Sequence, residues 1–117
     1  MLFRSELDVQ LVKAKQENKF VMFDFYADWC ISCKEMEVNT FANPEVSKQL
    51  KQLVLVQADV TANSPENQVL LKKFGLYGPP GILFFDQNSE EQKVQRVVGY
   101  MSPERFTERL KQVIKTQ

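Results

Sequence analysis

Two cysteines three positions apart stand where an apolar strand pattern gives way to a helical one, in the stretch Phe20 to Glu37 (FVMFDFYADWCISCKEME). Phe20 to Tyr26 is apolar on both alternating faces except at Asp24. A strand of that kind needs cover on both sides, which predicts a central strand in a sheet flanked by helices. A helix starting at Cys30 then carries Cys30 and Cys33 on one face, close enough to close a small disulfide ring. Such a pair is a two-electron switch. Unpaired N–H groups at the helix start stabilise a thiolate at Cys30 more than at Cys33, one turn inside. Cys30 is therefore expected to be the nucleophile that attacks a partner's disulfide, and Cys33 the resolving thiol that breaks the mixed disulfide.

The rest of the chain reads as scaffold. Ser5 and Asp8 mark the start of a first helix with Leu7, Leu11 and Ala14 on one face, ending near Asn18. The cysteine helix is expected over 30–41. Asn43 and Pro44 then restart a short helix through Leu50 as cap and first position. Leu53 to Asp59 is the second strand. Ser64, Pro65 and Glu66 open a helix carrying Leu70, Leu71 and Phe74, stopped by Gly75. Ile82 to Asp86 and Val94 to Tyr100 are strands near enough for a hairpin, parted by the polar run QNSEE. Ser102 caps a last helix whose buried stripe is Phe106, Leu110, Val113 and Ile114. The order helix, strand, helix, strand, helix, strand, strand, helix predicts an α/β fold, a mixed central sheet with helices on both faces. Strands separated by helices should run parallel and the terminal hairpin antiparallel.

At 117 residues and 44% hydrophobic content, the chain suits one compact domain that needs no staple. Fifteen basic residues balance fifteen acidic ones, so no charge excess recruits nucleic acid or an anionic membrane surface, and the partners are expected to be proteins. The apolar run Phe20 to Phe23 falls far short of the roughly 18 residues a spanning helix needs, so no membrane insertion is expected. The N-terminus lacks the blocks of a secretory signal, which taken literally means cytoplasm. With no histidine and no third cysteine, one chain cannot supply the usual four zinc ligands. A purely structural staple would gain little by closing so short a loop. No metal, and no cofactor beyond the Cys30–Cys33 disulfide, is expected.

A CxxC at a strand-to-helix junction is a motif in a confirming context. YADWCISCK resembles the WCxxC active site of the thioredoxin superfamily, with Asp24 six residues before the first cysteine and a proline loop, Gly78 to Gly81, before a strand. More narrowly, FYADWCISCKEME, TFANPEV, VQADVTAN, LLKKFGLYGPPGILFFD and RVVGY look like the C-terminal thioredoxin-like domain of the DsbD family of thiol:disulfide interchange proteins. That resemblance implies a thioredoxin fold over residues 1–117, excised from a larger bacterial inner-membrane protein and facing the periplasm, which would explain the missing signal. It implies electrons taken from a membrane-embedded domain and handed to an N-terminal immunoglobulin-like domain that reduces periplasmic thiol proteins, including those of cytochrome c biogenesis. The domain is expected to be a monomer. The rivals are a free-standing thioredoxin-like reductase and, from another class, a non-catalytic thioredoxin-fold binding module whose cysteines merely hold a loop.

Asp24 interrupts an apolar strand, and burial raises a carboxyl pKa. The resemblance implies that it shuttles a proton, deprotonating Cys33 when the mixed disulfide is resolved; the alternative is a buried carboxyl satisfied locally. Glu37, four residues after Cys33, is expected to point back and raise the cysteine pKa values, or else to belong to the solvated face with Lys34 and Glu35. Trp29 and Tyr26 flank the motif as an apolar rim for protein docking, the alternative being core packing. Phe23 and Phe25 are assigned to the core, and Asp28 is a polar neighbour of the motif or a turn residue. Pro80 aligns with the family's cis-proline, although trans is the commoner isomer of any X-Pro bond. Pro79 and Gly81 depart from the family pattern. Pro79 has no N–H to pair with a substrate strand, which leaves only its carbonyl. Ile31 and Ser32 add no positive charge between the cysteines, so the direction expected is that of a reductant.

Overall fold

The computed structural model describes residues 4–115, with side chains from Leu7 onward. In chain order the elements are α1 (Arg4–Gln16), β1 (Phe20–Tyr26), α2 (Ile31–Glu35), a π-helical segment (Met36–Phe41), α3 (Pro44–Leu50), β2 (Leu53–Asp59), α4 (Pro65–Lys73), β3 (Gly81–Phe85), a 3₁₀ turn (Lys93–Gln95), β4 (Val97–Val98) and α5 (Pro103–Lys115). The capping expected of Ser5 lies outside the described side chains. α1 ends before Asn18, which sits at φ 55° in the left-handed region that stops a helix.

β1 lies inside a four-stranded sheet ordered β2-β1-β3-β4. Its alternation divides the core in two. Val21, Phe23 and Phe25 face Leu7 and Ala14 of α1 and Leu70 and Leu71 of α4. Phe20 and Met22 face Val46 and Leu50 of α3 and Phe106, Leu110 and Val113 of α5. Both faces of the strand are therefore buried, which is why it reads as an apolar run. The cap and stop residues act where expected. Asn43 accepts from Glu45 N–H and Val46 N–H, and Ser64 from Asn67 N–H. Gly75 takes φ 71° after α4.

Two expectations fail. β1 and β2 run parallel, but β3, although a helix separates it from β2, pairs antiparallel with β1. The pairings Tyr26 with Asp59 and Phe25 with Gly81 explain this: the excursion through α4 and residues 75–80 leaves and returns at the same end of the sheet. A nine-residue helix rises only about 13 Å, and the chain behind it doubles back instead of crossing to the far end. The strand expected over Val94 to Tyr100 shrinks to Val97–Val98, antiparallel to β3. Lys93–Gln95 winds into a 3₁₀ turn instead, with Gln95 N–H donating to Gln92 O, and Gly99 takes φ 89°.

Candidate active site

The site is built at the C-terminal end of β1. Cys30 is the N-cap of α2, not its first residue as expected, with extended backbone angles (φ −90°, ψ 104°). That geometry folds its sulfur back to accept from Cys33 N–H at 3.1 Å, the place a serine or aspartate oxygen takes in an ordinary cap. Cys30 and Cys33 form a disulfide across a Cα separation of 5.2 Å, and both are buried. Cys33 Sγ lies 3.9 Å from Phe25 O, beneath the residue that pairs with Gly81. The proline loop thus ends against the strand position that backs the buried sulfur. Its Pro79–Pro80 bond is cis, and Pro80 O accepts from Gly99 N–H at 3.2 Å.

Asp24 is mostly buried, on the face of β1 that carries Phe20 and Met22. Loss of solvent pushes its carboxyl from 3.8 up to about 7, Gln57 across the strand pair donates a hydrogen bond that partly offsets this, and the charge of Glu37 adds to the rise. Glu37 itself is exposed. The helix widens into π geometry after Glu35, and Met36 and Thr40 take the inward positions. Thr40 Oγ1 donates to Met101 O at 2.6 Å and Met101 N–H lies 3.2 Å from Met36 Sδ, which ties this segment to the chain just beyond Gly99. The influence of Glu37 is therefore seen on Asp24.

Trp29 is 56% exposed and Ile31 77%, so the residues on either side of Cys30 present apolar surface and the core alternative for Trp29 is set aside. Tyr26 is half-buried and donates to Asp28 Oδ1 at 3.0 Å, while Lys34 Nζ donates to Tyr26 Oη at 2.8 Å, a bond that pushes the lysine pKa upward. Sequence reading missed Gln57, Asp59 and Thr61. A polar residue at a strand position opposite Asp24, and an Asp-x-Thr step closing VQADVTAN, were the available signals. Among the described residues no cluster of three or more histidine, cysteine, aspartate or glutamate side chains could hold a metal ion. No helix among them is long and apolar enough to cross a membrane.

A thioredoxin-like domain family model matches residues 7–114. The chain is 45% identical over 106 residues to the thiol:disulfide interchange protein DsbD of Haemophilus influenzae (strain PittEE), a match covering 91% of this chain and 18% of that protein. The chain thus spans under a fifth of the length of the curated relatives it matches. Among solved structures, the DsbD C-terminal domain of Neisseria meningitidis in the oxidised form superposes with a TM-score of 0.81 at 38% identity, covering 97% of this chain and 99% of that one. The reduced form of the same domain gives 0.80 at 40% identity, covering 93% and 95%.

Proposed function

Because the chain belongs to the thioredoxin-like family, and within it to the DsbD C-terminal domains, we propose that it is a thiol-disulfide oxidoreductase working as a reductant of protein disulfides. The observation that carries this reading is the Cys30–Cys33 disulfide at a helix start, with Cys30 Sγ accepting from Cys33 N–H. A relative solved in both oxidised and reduced forms supports a working cycle between the two.

In the reduced chain the Cys30 thiolate attacks one sulfur of a partner's disulfide, forming a Cys30–partner bond and expelling the partner's other sulfur as a thiolate. Asp24, with a pKa about 7, takes the proton from Cys33. The Cys33 thiolate attacks Cys30 Sγ, the Cys30–Cys33 bond forms, and the partner leaves with its second thiolate. Two electrons pass to the partner. Its thiolates take up protons from Asp24 and solvent, and a dithiol donor restores the chain. No cofactor beyond the two cysteines enters these steps. Exposed Trp29 and its neighbour Tyr26 form the docking rim, and the loop before the cis-proline Pro80 offers the partner the Pro79 carbonyl.

The length of the relatives supports reading residues 1–117 as one thioredoxin-like domain of a larger inner-membrane protein, facing the periplasm. On that reading the donor is a membrane-embedded domain and the acceptor an N-terminal immunoglobulin-like domain of the same parent. A Cys33→Ser variant tests the core of the proposal. It should accumulate a Cys30-linked mixed disulfide with the acceptor, and a variant that releases the acceptor as fast as the parent would sink the two-cysteine mechanism.

A further inference from the structure

Thr61 lies just beyond β2, outside the cysteine motif, yet it is bonded to that motif twice. Its Oγ1 accepts from Asp28 N–H at 2.9 Å, and its carbonyl accepts from Trp29 Nε1–H at 2.9 Å. Asp59 holds it in turn, accepting from Thr61 N–H at 2.9 Å and from the Thr61 hydroxyl. The direction of these bonds is fixed by chemistry. An ionised carboxylate only accepts, so the hydroxyl proton must point to Asp59, which leaves a lone pair of Oγ1 for Asp28 N–H. Thr61 and Asp59 thus form a small rigid turn on the second strand that clamps the turn leading into Cys30.

We infer that Thr61 is a positioning residue that sets the orientation of the exposed Trp29 ring for partner docking, through the Thr61 carbonyl and the Asp59-anchored turn that holds it. The indole has one donor, and the Thr61 carbonyl takes it. With 56% of the residue in solvent, little packing competes to fix the ring, so this bond and the Asp28 clamp decide where it points. Threonine suits the position because it supplies a hydroxyl that both donates and accepts, which valine of the same shape cannot. The inference rests on the reading of Trp29 as part of the docking rim.

Trp29 is the chain's only tryptophan, so its fluorescence reports the ring alone. In the folded protein, Thr61→Val should lower Trp29 anisotropy and raise its quenching by acrylamide, Asp59→Ala should do the same, and Thr61→Ser should keep the parent's values. With insulin as a disulfide-bonded probe, Thr61→Val should raise KM about fivefold with little change in kcat, the factor expected for one lost net hydrogen bond. Parental Trp29 anisotropy and quenching in a folded Thr61→Val variant would overturn the proposal, as would failure of Thr61→Ser to preserve them. Trp29→Ala separates the underlying reading: if it leaves KM for insulin unchanged, the docking rim is wrong, while the fluorescence arms still decide whether Thr61 orients the ring.

Discussion

The N–H of Cys33 points at Cys30 Sγ across 3.1 Å, so the helix start supplies a donor to the sulfur of Cys30. In the reduced protein, iodoacetamide should therefore label Cys30 ahead of Cys33, by roughly tenfold if the charge-assisted bond contributes about 1.5 kcal/mol. Mass mapping of the labelled peptides reads the order, and faster labelling of Cys33 would reverse the assigned roles.

Asp24 makes stability depend on pH. Its carboxyl is raised from 3.8 to about 7 by burial, so the folded chain holds the proton more tightly than the unfolded chain does. Below about pH 4 both states are protonated and nothing is lost; stability then falls as pH rises to about 7, by at most about 4 kcal/mol. Asp24→Asn should flatten this slope, stabilising the protein at about pH 8 and leaving it unchanged at about pH 4. Urea denaturation at the two pH values measures it, and equal gains at both would remove burial of the charge as the cause.

The two carboxylates Asp24 and Glu37 interact, the exposed one raising the buried one. On the reading that these carboxylates raise the thiols, replacing both by their amides should make the Cys30 pKa fall, as followed by thiolate absorbance against pH. An unchanged or higher value would take the carboxylates out of the control of thiol reactivity.

Ile31 and Ser32 bring no cation between the cysteines, and the buried charge-bearing group on β1 is the acidic Asp24. The reduced state then gains little thiolate stabilisation, and the potential should lie nearer about −270 mV than about −120 mV. Equilibration with a glutathione buffer, read by Trp29 fluorescence, gives the value; a potential at the oxidising end would refute the reductant direction.

Thr40 is fully buried and its hydroxyl is held by Met101 O. Thr40→Val keeps the shape but leaves that carbonyl without its donor, which should cost about 1–3 kcal/mol in urea denaturation. A smaller loss would mean the chain near Met101 finds another donor.

Much of the fold was legible because it is written locally. β1 needs two covered faces, and Phe20 to Phe23 with Phe25 announce that; Asn43, Ser64 and Gly75 mark helix ends by what their own side chains and backbones can do. The spacing of Cys30 and Cys33 likewise fixes a pair that can bond. Periodicity failed where a distant partner decided the outcome. Nothing local in 94–100 could tell that only Val97 and Val98 would find a neighbouring strand, since a ladder needs its partner's register. The antiparallel turn of β3 came from where the α4 excursion lets the chain return.

Residue order alone specifies a buried central strand, a cysteine pair at the mouth of a helix and an acidic residue within that strand. What those residues meet depends on how the layers pack. Asp24 is raised to about 7 because burial in the packed fold strips its water, and Gln57 reaches it from a strand more than thirty positions away. Trp29 is held by Thr61 for the same reason, a hydrogen bond between groups 32 residues apart. Composition and spacing set which chemistry a side chain can perform; desolvation and long-range hydrogen bonding, which exist only once the layers have packed, set how strongly it is tuned and where it points.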